Sequence, residues 1–516
     1  MLRSSFSYKR RSRYLFLGTL TLLWVVAAIG FAASVSAELQ AGAAKADITF
    51  PGEPFNDRLH ARALVLKNDA TAIVVISLDV VSLGEIGYIG NDFEASVRSQ
   101  IQRELGIPVA NIIINTSHCH GKPAKDSDQR TLRAVREAAR KLQPVKIGIG
   151  TGHEDRIQQN RRLILENGKE IDERRAYSLP PDEQVVDVGP IDPEIGVVRV
   201  DDLEGVPVAV IYNFAMHPIM GTPNGWNTAD VTGFSSSVIE NNLGNGAVAL
   251  FLQGCGGDIN PADYKNIDAP RHAEPAGNIL GLSTLKAIRR IETRADDRLV
   301  VVNEVIELPR ANLAERIQQM ESERQRLLNS ISGTTLNLRT FLDLTIRHRL
   351  SPDYPSNFKY RYLADEKINN NDQALHDSLN RRLLKQYARN IYTMEHLSRL
   401  NTNLQLLKQH QRRNLAAKKR TIDAEVTAIR LGDMAMVTFP GEATVRIGLS
   451  IKQKSPHERT FIAAYTNGYL YYAPTDQQLR NNVGGAQEDS DCLLAPGWQE
   501  IYEAKALQML KQLDVK

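Results

Sequence analysis

Asn111-Ile112-Ile113-Ile114-Asn115-Thr116-Ser117-His118-Cys119-His120-Gly121 is the stretch whose reading decides the fold. Its apolar run is short and unbroken by polar residues, which predicts a buried strand over Asn111–Asn115. The polar residues beyond it set two histidines at the strand's mouth. On an extended backbone, side chains two apart share a face, so His118 and His120 can address one small volume. Imidazole is the commonest protein ligand for zinc. A lone His-x-His pair reads equally well as one satisfied core histidine and one solvent histidine, so the rest of the chain has to decide.

Outward from this stretch, the pattern of short apolar runs and helical stretches repeats. Strands are predicted at Ala61–Leu66, Ala72–Leu78, Val145–Gly150, Ile195–Val200, Val206–Phe214 and Ala247–Gln253. Helices are predicted at Asp92–Leu105, Gln129–Leu142, Phe234–Leu243 and Pro275–Ile291. Such interleaving predicts an α/β fold with mixed sheets and flanking helices. From about Asn312 to Lys419 the character changes: Leu, Glu, Gln, Lys and Arg dominate and glycine almost vanishes. That composition predicts a long α-helical hairpin, coiled-coil-like, over Leu313–Leu328 and Leu379–Leu415. Strand-like alternation resumes at Ile422–Ile429, and Gly497–Leu513 reads as a terminal helix.

The N-terminus bears on compartment. Arg3, Lys9, Arg10, Arg11 and Arg13 precede an apolar stretch, Tyr14–Ala33, that ends in Val35-Ser36-Ala37. This predicts a signal peptide over residues 1–37 and a secreted or periplasmic protein. The stretch is long enough to span a bilayer, so an uncleaved membrane anchor is the alternative. The segment holds those five basic residues and no acidic one, so its loss turns the formal charge of +3 slightly negative. Nothing then favours nucleic acid as a partner. Cys119, Cys255 and Cys492 are too few for a disulfide scaffold. They read as small buried apolar thiols, with a Cys119–Cys255 bridge or a thiol ligand as the alternatives.

Three later strand ends carry the same kind of punctuation. Val210-Ile211-Tyr212-Asn213-Phe214-Ala215-Met216 ends in His217-Pro218, and Pro218 stops regular structure there. Val437-Thr438-Phe439-Pro440-Gly441 presents Glu442 in a turn, and Asn467-Gly468-Tyr469-Leu470-Tyr471-Tyr472 follows a further apolar run. In layered α/β proteins, sites collect at strand ends and in the loops beyond them. Each residue also has a plain structural reading. Glu442 can be a turn carboxylate, Tyr472 an interior tyrosine bonded to backbone, Asp258 a cap for the next turn. Adjacent Arg161 and Arg162 read as solvated surface. His153, His272, His348, His376, His396, His410 and His457 lie outside any constellation and also read as surface.

Taken in order, these short motifs resemble the neutral/alkaline non-lysosomal ceramidase family in its N-terminal catalytic domain. The resemblance rests on Gly42-Ala43-Ala44-Lys45-Ala46-Asp47-Ile48-Thr49, the His-x-His segment, Asn160-Arg161 and Phe214-Ala215-Met216-His217-Pro218. It continues through Thr228-Ala229-Asp230, Gln253-Gly254-Cys255-Gly256-Gly257-Asp258-Ile259-Asn260-Pro261, Pro440-Gly441-Glu442 and the Asn-Gly-Tyr segment. It implies zinc (Zn2+) ligands at His118, His217, Glu442 and Tyr472, with one position left for water. It also implies a catalytic body in two parts, residues 38–310 and 421–516, around a helical insertion over 311–420. The departures are Asn260, where the family carries a serine, Gly121-Lys122-Pro123 after the histidines, and the insertion itself.

The expected activity is an exported zinc-dependent hydrolase of amide or ester bonds that attacks with metal-bound water. Its substrate would be a small-molecule or lipid-like amide. His120 is the candidate general acid/base, and Arg161 and Tyr469 are candidates to stabilise an oxyanion. Asp230, Asp258 and Asn260 are expected to orient the ligands. The alternative is a non-catalytic metal- or ligand-binding member of the family. Membrane association is expected only through the N-terminal segment, and the insertion is a candidate for self-association.

Overall fold

The computed structural model describes residues 38–173, 180, 182–262, 264–266, 268–481 and 485–514. The expected signal segment lies outside the described residues. The Ile112-Ile113-Ile114 run is a strand covered on both faces. It belongs to an eight-stranded sheet made of β1 (Gln40–Asp47), β2 (His60–Lys67), β3 (Ala72–Leu78), β4 (Ile112–Thr116), β5 (Gln143–His153), β6 (Glu194–Asp202), β7 (Pro207–Phe214) and β8 (Val248–Gln253). The spatial order is β8-β7-β6-β5-β1-β2-β3-β4. The β3–β4 and β7–β8 pairs are parallel and the others antiparallel. Parallel neighbours need a crossover, and helices supply it: α1 (Phe93–Leu105) before β4 and α3 (Asp230–Leu243) before β8, with α2 (Ser127–Arg140) and α4 (Ala273–Ile288) beside them.

Successive residues of β3 and β4 serve different cores. Val74, Ile76, Ile112 and Ile114 pack with Val97 and Ile101 of α1 and Leu132 and Val135 of α2. Val75 and Ile113 face the opposite way, onto a second sheet. A strand buried on both sides reads as a continuous apolar run rather than an alternation. The second sheet is β9 (Leu299–Pro309), β10 (Thr421–Leu431), β11 (Met434–Thr438) and β12 (Arg459–Ala463), in that order. Ile429, Met436 and Phe461 of this sheet meet Val198, Ile211 and Leu250 of the first.

The insertion lies between β9 and β10. It comprises α5 (Ala314–Ser330), α6 (Leu338–Leu350), α7 (Lys359–Lys367) and the long α8 (Asp372–Ala416). Met320 and Leu327 of α5 pack on Leu397, Leu400, Leu404 and Leu407 of α8. The three-four spacing of those leucines is a coiled-coil seam. The β11–β12 pair is parallel and crossed by α9 (Val445–Lys454). Trp498, Tyr502 and Met509 of α10 (Trp498–Gln512) cover the outer face of the second sheet. The layers are therefore helix, sheet, sheet, helix.

Some sequence expectations need correction. His410 and His457 are buried rather than on the surface. His410 bonds Asp491 Oδ1, and His457 Nε2 bonds Leu510 O at 2.8 Å. Arg161 and Arg162 are buried as well. Strand β1 was not expected: its alanine-rich sequence has weak β-propensity, and burial in the sheet overrides it. The three cysteines are free and buried, as their residue type suggests. Among the described residues no helix is long and apolar enough to cross a membrane.

Asn115, near the end of β4, ties several strand ends together. Its Oδ1 accepts from Gln253 N of β8 at 2.8 Å, and its Nδ2 donates to Ala464 O at 2.6 Å, just past β12. Asn213 of β7 donates to Leu252 O and Ile462 O. These amides bring the carboxyl ends of β4, β7, β8 and β12 to one place.

Candidate metal centre

His118, His217 and Glu442 meet at that place, and all three are buried. Their nearest ligand atoms all lie within 4.8 Å of one another. His217 Nε2 is 3.0 Å from Glu442 Oε2, and His118 Nε2 is 3.5 Å from the same oxygen. Each imidazole is turned by its other nitrogen. His118 Nδ1 bonds Val81 O at 2.8 Å and His217 Nδ1 bonds Gly256 O at 2.6 Å. A carbonyl only accepts, so both Nδ1 atoms carry a proton, and Nε2 is the ring atom that each histidine turns toward Glu442. Nitrogen lone pairs against a carboxylate are complementary to a divalent cation, and the Nδ1 bonds to carbonyls are the orientation that ligating histidines adopt. The residues present therefore fit zinc.

Glu442 begins a two-residue parallel pairing with Tyr472. The Tyr472 hydroxyl is 3.3 Å from His217 Nε2, with its ring stacked on that imidazole. Tyr465 donates to Glu442 Oε2 at 3.2 Å, and Tyr469 donates to Oε1. Burial pushes the Glu442 pKa up, but His118, His217 and Tyr469 outweigh it and hold the carboxyl below its usual range. Burial and the Glu442 charge raise the phenols of Tyr465 and Tyr469 well above theirs, which keeps both as donors. At Tyr472 burial raises the phenol too, and Arg161 opposes it. The Arg161 guanidinium lies 5.3 Å from the Tyr472 ring centre.

His118 and His120 come together, but not by strand alternation. β4 ends at Thr116, and His118 has φ 66°, in the left-handed region. The two ring centres are 5.5 Å apart and edge-on. His120 opens onto the cavity. Protein around it, then His118, lowers its pKa to about 4. His118, Asp230, Tyr465, Asn467 and Tyr471 are five of the eight non-glycine residues with left-handed φ among the described residues. Each costs of order 1–2 kcal/mol, and their clustering marks this as a site rather than ordinary core.

The remaining predicted residues surround the centre without touching its donors. Asp258 accepts from Val445 N at 2.7 Å, capping α9 just after Glu442, and from Asn160 Nδ2. Asp230 accepts from the amides of Met220 and Gly221 and so fixes the loop after His217. Its pKa rises to about 6, chiefly from burial. Asn260 Oδ1 faces Arg161 Nη1 at 3.4 Å. Gly257 leaves room for Glu442: a Cβ there would lie 2.5 Å from Glu442 O.

Sequence reading missed three residues. Tyr465 follows an apolar run without any motif to mark it. Glu488 pairs with Arg161 Nε at 2.6 Å and Arg162 Nη1 at 2.9 Å. Gln253 is the third. Its Nε2 donates to Ser117 O at 3.0 Å and Met216 O at 2.7 Å, the carbonyls just before His118 and His217. One buried amide thus clamps both histidine turns. Its signals were its place at the end of β8 and at the head of the Gln253–Pro261 motif, neither of which gave it a role.

The centre forms the floor of a cavity of about 1040 Å³ that is also lined by His120, Arg161, Asn260 and Tyr469. No family model matches the chain. In three dimensions it is similar to the crystal structure of neutral ceramidase from Pseudomonas aeruginosa, with a TM-score of 0.58 and 16% identity, over 93% of this chain and 75% of that one. It is also similar to a ceramidase complexed with C2, with a TM-score of 0.59 and 15% identity, over 93% of this chain and 76% of that one. The chain has the neutral ceramidase fold.

Proposed function

We propose that the chain is a zinc-dependent hydrolase of amide or ester bonds, acting outside the cytoplasm. The observation that carries this reading is the buried donor set of His118, His217 and Glu442 at the floor of an open cavity. Likeness to ceramidase folds and the export pattern of residues 1–37 support it. His118, His217, Glu442 and Tyr472 would hold the zinc ion, whose chemistry there would be to acidify a water and polarise a carbonyl.

The chain's own groups do the rest. Gln253 and the carbonyls of Val81 and Gly256 fix the imidazoles, while Tyr465 and Tyr469 orient Glu442. Arg161, against the Tyr472 ring, favours negative charge on that phenol. His120 faces the cavity and exchanges a proton with the leaving group. Arg161 Nη1, whose contact with Asn260 Oδ1 is a long 3.4 Å, is the donor available to a developing oxyanion. Such a donor contributes roughly 3–4 kcal/mol, whereas the single Tyr469 O–H is engaged by Glu442.

The test is elemental analysis of the purified protein joined to turnover of an N-acyl and ester substrate panel. Stoichiometric zinc, with turnover lost on chelation, restored by zinc and absent in His217→Ala, is expected. Turnover indifferent to chelation, or a protein that binds no metal, ends the proposal. One observation favours a second reading, a non-catalytic binding protein: Asn260 offers an amide where the family carries a serine. Zinc bound in full with no turnover of any amide or ester would select it.

A further inference from the structure

The cavity's charged side chains are not all closed by ion pairs. Each acid in its lining already has a partner: Glu53 pairs with Lys122, Asp172 with Arg399 and Asp491 with His410. Asp230 is held by backbone amides, and Glu442 belongs to the metal centre. Among the cations, Arg161 is taken by Glu488. Lys265 and Arg271, on the segment leading into α4, also line the cavity. Among the described residues neither makes an ion pair. Both lie against the Tyr264 ring, whose centre is 5.2 Å from Lys265 Nζ and 4.5 Å from the Arg271 guanidinium carbon.

We infer that the substrate carries an anionic group, a carboxylate or a phosphate, bound by Lys265 and Arg271 in the same cavity as the metal centre. This rests on the hydrolase reading and adds the substrate class to it. Two cations held against one aromatic ring repel each other, and among the described residues neither is closed by a carboxylate at ion-pair distance, unlike Lys122 and Arg161 of the same cavity. The state of Lys265 agrees: burial lowers its pKa to about 8, despite the nearby carboxylates of Asp172 and Glu173. A guanidinium fork beside an ammonium is the usual receptor for a compact anion. The apolar wall of Ile86, Tyr88 and Trp226 would take an acyl or other apolar portion.

Three substrates with the same acyl chain separate the possibilities: N-hexanoylglycine, N-hexanoylphosphoethanolamine and the neutral N-hexanoylethanolamine. With zinc-loaded protein, kcat/KM for one of the two anionic amides should exceed that of the neutral one by at least tenfold, and which one does identifies the anion. Arg271→Ala with Lys265→Ala should remove that advantage through KM while leaving turnover of the neutral amide within twofold; Arg271→Lys should retain part of it. Equal turnover of all three, or an advantage that survives the double variant, overturns the inference and leaves the hydrolase reading intact. Calorimetric binding of the same amides to chelator-treated protein separates the converse case. If no substrate is hydrolysed yet the anionic amides bind and the double variant loses them, the anion site stands and the hydrolase falls. If the anionic amides bind no better than the neutral one there, the anion site falls with it.

Discussion

Glu442 and Glu488 are both fully buried carboxylates beside the same cavity, and the protein neutralises them by different means. Glu488 is enclosed by two guanidiniums, Arg161 and Arg162, whose charge outweighs burial and keeps it ionised. Glu442 meets two imidazoles and two phenols instead. A buried charge is tolerated when paired and hydrogen-bonded. Glu488 is closed by the chain's own cations and is structural. Glu442 faces ring nitrogens and hydroxyls rather than guanidiniums, the setting of a carboxylate that can ligate a cation.

Exchanging each acid for its amide separates the two. Glu442→Gln should weaken zinc binding by about a thousandfold or more, roughly 4 kcal/mol, measured by competition with a chromophoric chelator. The same variant should unfold, metal-free, close to metal-free wild type. Glu488→Gln should do the opposite. Leaving Arg161 and Arg162 without their acid costs on the order of 3–5 kcal/mol, visible in denaturant unfolding with or without metal. If Glu442→Gln destabilised the metal-free protein as much as Glu488→Gln, the contrast between the two sites would disappear.

Gln253 sharpens the comparison on the metal side, because it carries no charge and touches no ligand atom. Gln253→Leu leaves the carbonyls of Ser117 and Met216 without their donor. Outer partners of this kind are typically worth 10–100-fold in metal affinity, so about 1.4–2.8 kcal/mol of zinc binding should go. The readout is the zinc dissociation constant beside the metal-free melting temperature. A variant that keeps wild-type affinity would make Gln253 an ordinary core amide.

What was legible in the sequence follows the same division. His118, His217 and Glu442 each follow an apolar run, so strand ends bring them into view as candidates, while the full set with Tyr472 comes from the family resemblance; the doubly covered sheet explains why those runs are unbroken. The supports were not legible. Arg161 and Arg162 look like surface until Glu488 and Asp489, more than 300 positions away, are folded against them. His410 looks like one more polar residue of the insertion until Asp491 meets it. Long-range ion pairing leaves no local pattern. Nor does a left-handed turn at His118, since histidine gives no warning of it.

Asp57 offers a third means, the proton. Its carboxyl accepts from the Thr228 hydroxyl and from Ala229 N, just before α3. Burial, aided by the charges of Asp79 and Asp230, outweighs those bonds and lifts its pKa from 3.8 to about 7. Below the ordinary value both folded and unfolded chains hold the proton, and Asp57 contributes nothing to the pH dependence. As pH rises from about 4 to about 7 the unfolded chain releases that proton while the folded one keeps it. Stability therefore falls across this window and stays at the lower level above it. Asp57→Asn cannot ionise, so relative to wild type it should gain about 4 kcal/mol between pH 4 and 8, the shift from 3.8 to about 7 taken at about 1.4 kcal/mol per pKa unit. Unfolding curves at unit pH steps measure this difference. Parallel wild-type and variant profiles would mean that Asp57 is ionised in the folded protein and that its proton plays no part in the fold's stability.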